Sequence, residues 1–107
     1  GVRRSESGLA AVEAAGADPV RADVPVGGTV VWENEDGASH DVVSAQFHDS
    51  AASWEFQSAT LAQGDTTSRT FESAGAYQYY CSIHGRSSMC GVVLVGDASV
   101  EGDMPCE

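Results

Sequence analysis

Short runs of alternating apolar and polar residues, ended by glycine or small polar residues, extend from about residue 20 to residue 96. The runs are rich in β-branched and aromatic side chains, which fit the pleated surface of a sheet. We expect strands at residues 24–28, 29–33, 40–43, 67–71, 77–81 and 91–95. The irregular stretch 44–66 holds four residues that we expect to anchor it to the core: Phe47, Trp54, Phe56 and Leu61. Five or six short strands with turns between them predict an all-β sandwich or barrel.

The two ends of the chain do not follow this pattern. Residues 7–16 are rich in alanine between a serine and a glycine, as in a short helix, but their apolar face is narrow. We therefore expect residues 1–19 to be an irregular or helical extension or tether. The domain itself is expected at residues 20–96, followed by a C-terminal tail at residues 97–107.

A thiol, an imidazole and a thioether lie within nine residues after a predicted strand: Cys81, His84 and Met89. Side chains alternate along a strand, so Cys81 and His84 can converge only if the chain turns between them, and Gly85 with the serines after it supplies a turn. The best-placed fourth ligand is His40, at the start of an earlier strand. One Cys, two His and a weak axial Met form the ligand set of blue-copper electron-transfer centres. The sequence therefore predicts a single copper site.

Over about residues 20–96 the chain resembles the cupredoxins, specifically the plastocyanin-like, halocyanin type. The resemblance depends on residues 26–34, 39–43, 54–58, 70–71 and 74–89. It implies a Greek-key β-sandwich that carries single electrons between larger redox proteins, with one mononuclear copper bound by His40, Cys81, His84 and Met89. We expect electrons to pass through the ring edge of His84, with a second route from Cys81 through Tyr80 or Tyr79.

The chain departs from the family pattern next to two of these ligands. Family members commonly have Asn after the first His, where this chain has Asp41. A carboxylate can accept backbone N–H bonds but cannot donate, and its charge is expected to favour oxidised copper and lower the midpoint potential. In the ligand loop, Arg86 stands close to His84 in place of the usual Pro or bulkier apolar residue, and is a candidate docking contact.

Two cysteines remain once Cys81 is assigned to the metal. The tail after Val95 is long enough to return along the roughly 17 Å of the last strand, so Cys106 can reach Cys90. Such a disulfide would contribute about 3 kcal/mol in the chain-entropy model. Two free thiols are the alternative. A disulfide and an exposed redox role both favour an oxidising, extracytoplasmic compartment.

The charge of the chain excludes one class of partner. Asp and Glu number 16 against 5 basic residues, all arginine, which gives a net charge of −11. This field repels phosphate backbones, so we expect no nucleic-acid partner. The acidity either suits very high salt, the interpretation we prefer, or steers a basic redox partner. No apolar run approaches the roughly 18 residues of a membrane span, and the N-terminus lacks a signal peptide's apolar stretch. We expect a monomer, with residues 1–19 as a candidate remnant of a membrane tether.

Other functions use similar ligands. A copper carrier or storage domain would favour Cu(I) strongly, and the same side chains can bind structural zinc. A multicopper oxidase or nitrite-reducing enzyme needs further histidine-rich copper sites. The chain has only three histidines, and we interpret His48, beside Asp49, as a solvated surface residue. We therefore expect an electron carrier rather than an enzyme.

Overall fold

The computed structural model describes residues 2–6, 12–13, 21–34, 37–83, 85, 87, 90–100, 102, 103 and 105. Its regular elements are the strands β1 (Val2–Glu6), β2 (Val12–Glu13), β3 (Arg21–Val24), β4 (Gly28–Asn34), β5 (Val43–Ala45), β6 (Thr66–Phe71), β7 (Gly75–Tyr80) and β8 (Cys90–Val95). Nowhere in these ranges is there a helix long and apolar enough to cross a membrane.

The strands form two four-stranded sheets. Sheet A has the order β2-β1-β4-β6, and sheet B has the order β3-β8-β7-β5. Neighbouring strands are antiparallel except β3 and β8, which are parallel. The predicted all-β sandwich is confirmed, and the strands expected at residues 29–33, 67–71, 77–81 and 91–95 are β4, β6, β7 and β8.

The N-terminal segment differs from the extension or tether that the sequence predicts. Residues 2–6 pair with β4 over five residue pairs, from Val2 opposite Asn34 to Glu6 opposite Val30. Residues 12–13, inside the predicted helix, pair with β1. The long strand β4 would otherwise present an open edge of backbone donors and acceptors. Backbone pairing to this edge decides the conformation, and such pairing leaves little trace in the local side-chain pattern.

The main core lies between the two sheets. Along β4 every second residue is buried, which places Val30 and Trp32 on the inner face of sheet A. Sheet B faces them with residues of β7 and β8, and the side chains of Trp32 and Tyr79 meet edge to face at 5.4 Å. The buried residues of this core are Val24, Val30, Trp32, Val42, Phe71, Tyr79, Val93 and Val95.

A second, smaller core covers the outer face of sheet B. Its buried residues are Ala51, Ala76, Cys90 and Val92, and Phe47, Tyr80, Leu94 and Val100 pack against them. Val100 belongs to the C-terminal tail, which Arg21 also holds by donating from Nη2 to the carbonyl oxygen of Gly102 at 3.0 Å. Strand β8 is therefore covered on both faces, which explains why five of its six residues are buried.

The irregular stretch between β5 and β6 is anchored by the four predicted residues. Leu61 is buried, and Phe47, Trp54 and Phe56 are half-buried against the two cores. Trp54 stacks on Phe56 with ring centroids 5.8 Å apart and donates from Nε1 to the backbone oxygen of Gln78. These contacts fix the segment that leads to Leu61.

Candidate metal centre

Two of the four predicted ligands, His40 and Cys81, come together in the structure. Both are almost fully buried, with 4% and 2% of their surfaces exposed, and Nδ1 of His40 lies 3.9 Å from Sγ of Cys81. Cys81 is a free thiol. Two ligands bound at about 2.1 Å (N) and 2.3 Å (S) with a trigonal angle would be about 3.8 Å apart. A soft thiol and an imidazole at this separation therefore fit a shared copper ion.

Backbone hydrogen bonds hold His40 in place. Its N–H donates to the oxygen of Leu61 at 3.1 Å, and its own oxygen accepts from the N–H of Leu61 at 2.6 Å. His40 therefore stands in an isolated bridge, and the strand predicted from residue 40 begins at Val43. Leu61 is 3% exposed, which keeps this bridge away from competing water.

Asp41 connects the two segments that carry these ligands. Its Oδ1 accepts from the backbone N–H of Ser82 at 2.7 Å, and its Oδ2 accepts from the Ser82 hydroxyl at 2.5 Å. The carboxylate thus uses both oxygens as acceptors, as the chemistry of aspartate requires. Sequence reasoning identified Asp41 but not its partner, because nothing in the pattern around residue 82 distinguishes Ser82 from other loop serines.

The turn after Cys81 forms as predicted. Gly85 has a φ of +88° and donates its N–H to the oxygen of Cys81 at 2.9 Å. A positive φ of this kind favours glycine because it has no Cβ. His84, Arg86 and Met89 lie outside the described residues. Within the described ranges, no group of three or more His, Cys, Asp or Glu side chains could hold a metal ion. The ligand roles of His84 and Met89 therefore stay predictions.

His48 is more enclosed than the solvated residue that the sequence suggests. It is half-buried, and its Nδ1 lies 2.8 Å from Nε2 of Gln78, a fully buried amide. The oxygen of that amide accepts from the backbone N–H of Phe47 at 2.5 Å. Gln78 therefore fastens the loop around residue 48 to the outer face of sheet B, on the side away from Tyr79.

The two tyrosines before Cys81 point to opposite sides of sheet B. Tyr79 is buried against Trp32 in the main core. Tyr80 is half-buried on the outer face, where its ring meets that of Phe47 edge to face at 6.4 Å. Of the two, only Tyr80 connects the neighbourhood of Cys81 to a solvent-accessible side chain.

A model of a known protein family matches most of the chain. The family described as copper binding proteins, plastocyanin/azurin family, matches residues 17–96. Chloroplastic plastocyanin from Pisum sativum is 33% identical over 97 residues, covering 85% of this chain and 54% of the pea protein. The chain thus spans about half the length of that relative.

Two solved structures show the same fold. A purple cupredoxin from Nitrosopumilus maritimus is 36% identical, with a TM-score of 0.63 over 73% of this chain and 79% of that chain. The copper-containing nitrite reductase of Thermus scotoductus is 31% identical, with a TM-score of 0.62 over 75% of this chain but 20% of the reductase chain. From the match over residues 17–96 and the cupredoxin likeness, the chain belongs to the plastocyanin/azurin family of copper-binding proteins, with one copper ion per chain as its cofactor.

Proposed function

We propose that this protein is an electron carrier that holds its copper through His40, Cys81, His84 and Met89. The observation that carries the proposal is the buried pair of Cys81 Sγ and His40 Nδ1, 3.9 Å apart. When bound, copper supplies the one-electron Cu(II)/Cu(I) couple. The family likeness is to electron carriers, and we propose no catalytic reaction for this chain.

The residues around the pair keep the thiol and the imidazole in one arrangement. The bridge to Leu61 fixes the backbone of His40, and Asp41 ties this segment to Ser82, directly after Cys81. Burial excludes water from both donor atoms. A site that cannot rearrange needs little reorganisation when its charge changes by one, and this favours rapid electron transfer.

Electrons are proposed to pass through His84, with Tyr80 as a second route. Ile83, next to His84, is 48% exposed and is one of the two large apolar side chains that are exposed among the described residues. A transient redox partner would bury less than about 1,200 Å² around such a patch. Tyr80 supports the second route because it directly precedes Cys81 in the chain and is accessible to solvent on the outer face of sheet B.

Copper titration of three variants tests two of the proposed ligands, His40 and Cys81. His40→Gln is expected to abolish the intense blue Cu(II)–thiolate absorption, and Cys81→Ser is expected to do the same. His48→Gln is the matched control, since it alters a half-buried histidine that bonds to Gln78 instead of facing Cys81. A copper-loaded protein without the blue band contradicts the proposed site, and strong retention of Cu(I) without reversible cycling would indicate a carrier or storage protein.

We also propose that Cys90 and Cys106 form a disulfide that pins the tail. In support, Cys90 is buried, with 1% of its surface exposed, whereas Cys81 is a free thiol. Cys106 is the remaining cysteine of the sequence and lies outside the described residues. Alkylation of the denatured protein before and after reduction tests the pairing. One labelled thiol before reduction and three after are expected, while three before reduction contradict the disulfide.

The carrier is proposed to act outside the cytoplasm as a monomer, held by a membrane tether that joins the chain before strand β1. The disulfide supports an oxidising compartment. The net charge of −11 supports either life at high salt or steering of a basic partner. The rate of electron transfer to a cationic partner distinguishes the two explanations, because a steered encounter slows steeply as salt rises from low to high. A rate that salt does not change removes the steering role.

A further inference from the structure

Asn34 is a fully buried polar residue at the end of β4. It occupies an inward position of the alternating pattern, in line with Val30 and Trp32, where an apolar side chain is the usual choice. Burial of an amide is costly unless it forms hydrogen bonds. The partners of Asn34 are therefore informative about what this position does.

The side-chain amide of Asn34 joins two segments on either side of His40. Its Nδ2 donates to the carbonyl oxygen of Ala38 at 2.8 Å and to that of Leu61 at 2.8 Å. Both of these partners are acceptors, so the amide nitrogen faces them and donates one N–H to each, which an apolar, carboxylate or single-hydroxyl side chain cannot do. Asn34 is thus chemically specified at this position.

Both anchored carbonyls constrain His40. Ala38 lies two residues before His40, and Leu61 exchanges two backbone hydrogen bonds with it. The oxygen of Leu61 accepts from His40 N and from Asn34 Nδ2 together. The backbone of Asn34 adds to the same frame, since its N–H donates to Asp65 and its oxygen accepts from the N–H of Gly64.

We propose that Asn34 is the positioning residue for His40: its amide clamps the loop before His40 to the segment of Leu61, and so holds the imidazole against Cys81 before any metal binds. The meaning of this clamp for electron transfer rests on the proposed function, because it assumes that His40 is a ligand. The clamp itself is a property of the metal-free protein.

A matched pair of variants of the full chain tests the clamp. Asn34→Leu replaces the buried amide with an apolar side chain of similar shape. Gln78→Met does the same to the other fully buried amide, whose partners are Phe47 and His48. Hydrogen exchange of the metal-free proteins is measured at the amides of His40 and Leu61, after correction for the change in global stability.

Protection at His40 and Leu61 is expected to fall about 10- to 100-fold in Asn34→Leu, as the loss of hydrogen bonds from a buried amide implies. In Gln78→Met the loss is expected at Phe47 and His48 instead. Equal residual protection of His40 in the two variants overturns the proposal. If Asn34→Leu does not fold, Asn34→Ser, which keeps one donor, is expected to lose part of the protection, and full retention overturns the proposal equally.

A spectroscopic measurement links the clamp to the metal. In the copper-loaded protein, Asn34→Leu is expected to change the intensity ratio of the two thiolate absorption bands and the Cu(II) electron paramagnetic resonance hyperfine splitting, while Gln78→Met leaves both as in the wild type. Unchanged spectra in Asn34→Leu contradict a positioning role at the site. If the wild type itself binds no copper, the proposed function fails, and the exchange data on the metal-free protein still decide the clamp.

Discussion

Replacing Asp41 separates the charge of this residue from its hydrogen bonds. Asp41→Asn can keep both contacts to Ser82, since the amide oxygen can accept the backbone N–H and the amide nitrogen can donate to a serine hydroxyl that rotates. Asp41→Ala removes both contacts. The two variants therefore differ in hydrogen bonding, while both lose the carboxylate.

The contacts and the charge of Asp41 determine the expected changes in the free energy of unfolding and in the midpoint potential. A hydrogen bond to a charged group contributes about 1.5 to 3 kcal/mol, and the lower end applies here because Ser82 is exposed and water can replace its partner. Asp41→Ala should thus lower the free energy of unfolding by about 2 to 3 kcal/mol, and Asp41→Asn by about 1 kcal/mol. At an effective dielectric of 20, two unit charges about 10 Å apart interact by about 1.7 kcal/mol, which is about 70 mV for one electron, and this sets the scale of the expected shift in midpoint potential.

Urea denaturation and protein-film voltammetry measure the two quantities on the same variants. Both substitutions should raise the midpoint potential, since both remove a negative charge that favours Cu(II). Ser82→Ala keeps the carboxylate and should shift the potential far less, and Asp49→Asn is the control for an exposed carboxylate elsewhere. A potential that stays the same or falls in Asp41→Asn would refute the electrostatic reasoning, even if the stabilities follow expectation.

Two further substitutions probe the packing that supports the site. Gly91→Ala should lower the free energy of unfolding by about 1 to 3 kcal/mol, because the new Cβ would overlap the hydroxyl oxygen and Cζ of Tyr79. Urea denaturation measures this change. A variant as stable as the wild type would show that the Tyr79 ring shifts freely. Arg69→Met should lower the free energy of unfolding by about 0.5 to 1 kcal/mol. It removes a guanidinium that lies 5.6 Å from the ring centre of Trp54 and 5.8 Å from that of Phe56. An unchanged urea midpoint would show that this contact contributes nothing to stability.

The strands that could be predicted from the sequence carry their signal locally. In β4 the alternation of buried and half-buried residues is complete, and β8 is an almost continuous apolar run because both of its faces are covered. The thiol of Cys81 and the turn at Gly85 could also be predicted, because the cysteine itself identifies the thiol and the glycine indicates the turn. For these elements, the residue types within the element itself are sufficient to predict it.

The parts that the sequence did not reveal depend on partners distant in the chain. Strand β1 forms because the edge of β4 needs a partner, and the second core forms because the tail returns to the outer face of sheet B. The clamp of Asn34 joins residues 27 positions apart. Its one local signal is an amide at an inward-facing position of β4. From the sequence alone, this asparagine looks like an ordinary residue at the end of a strand, because its carbonyl partners are not known.

The two-sided burial of β7 and β8 explains how the loop with the proposed ligands His84 and Met89 can be held at both of its ends. The two strands are paired over six residue pairs, from Gly75 opposite Val95 to Tyr80 opposite Cys90. The main core holds one face of this hairpin and the second core holds the other. Cys81 follows one fixed strand end and Met89 precedes the other, so the intervening loop can vary in sequence while its ends stay in place. Since the tail contributes Val100 to the second core, releasing the tail should loosen the ligand region from the outer face, without disturbing the contacts between the sheets.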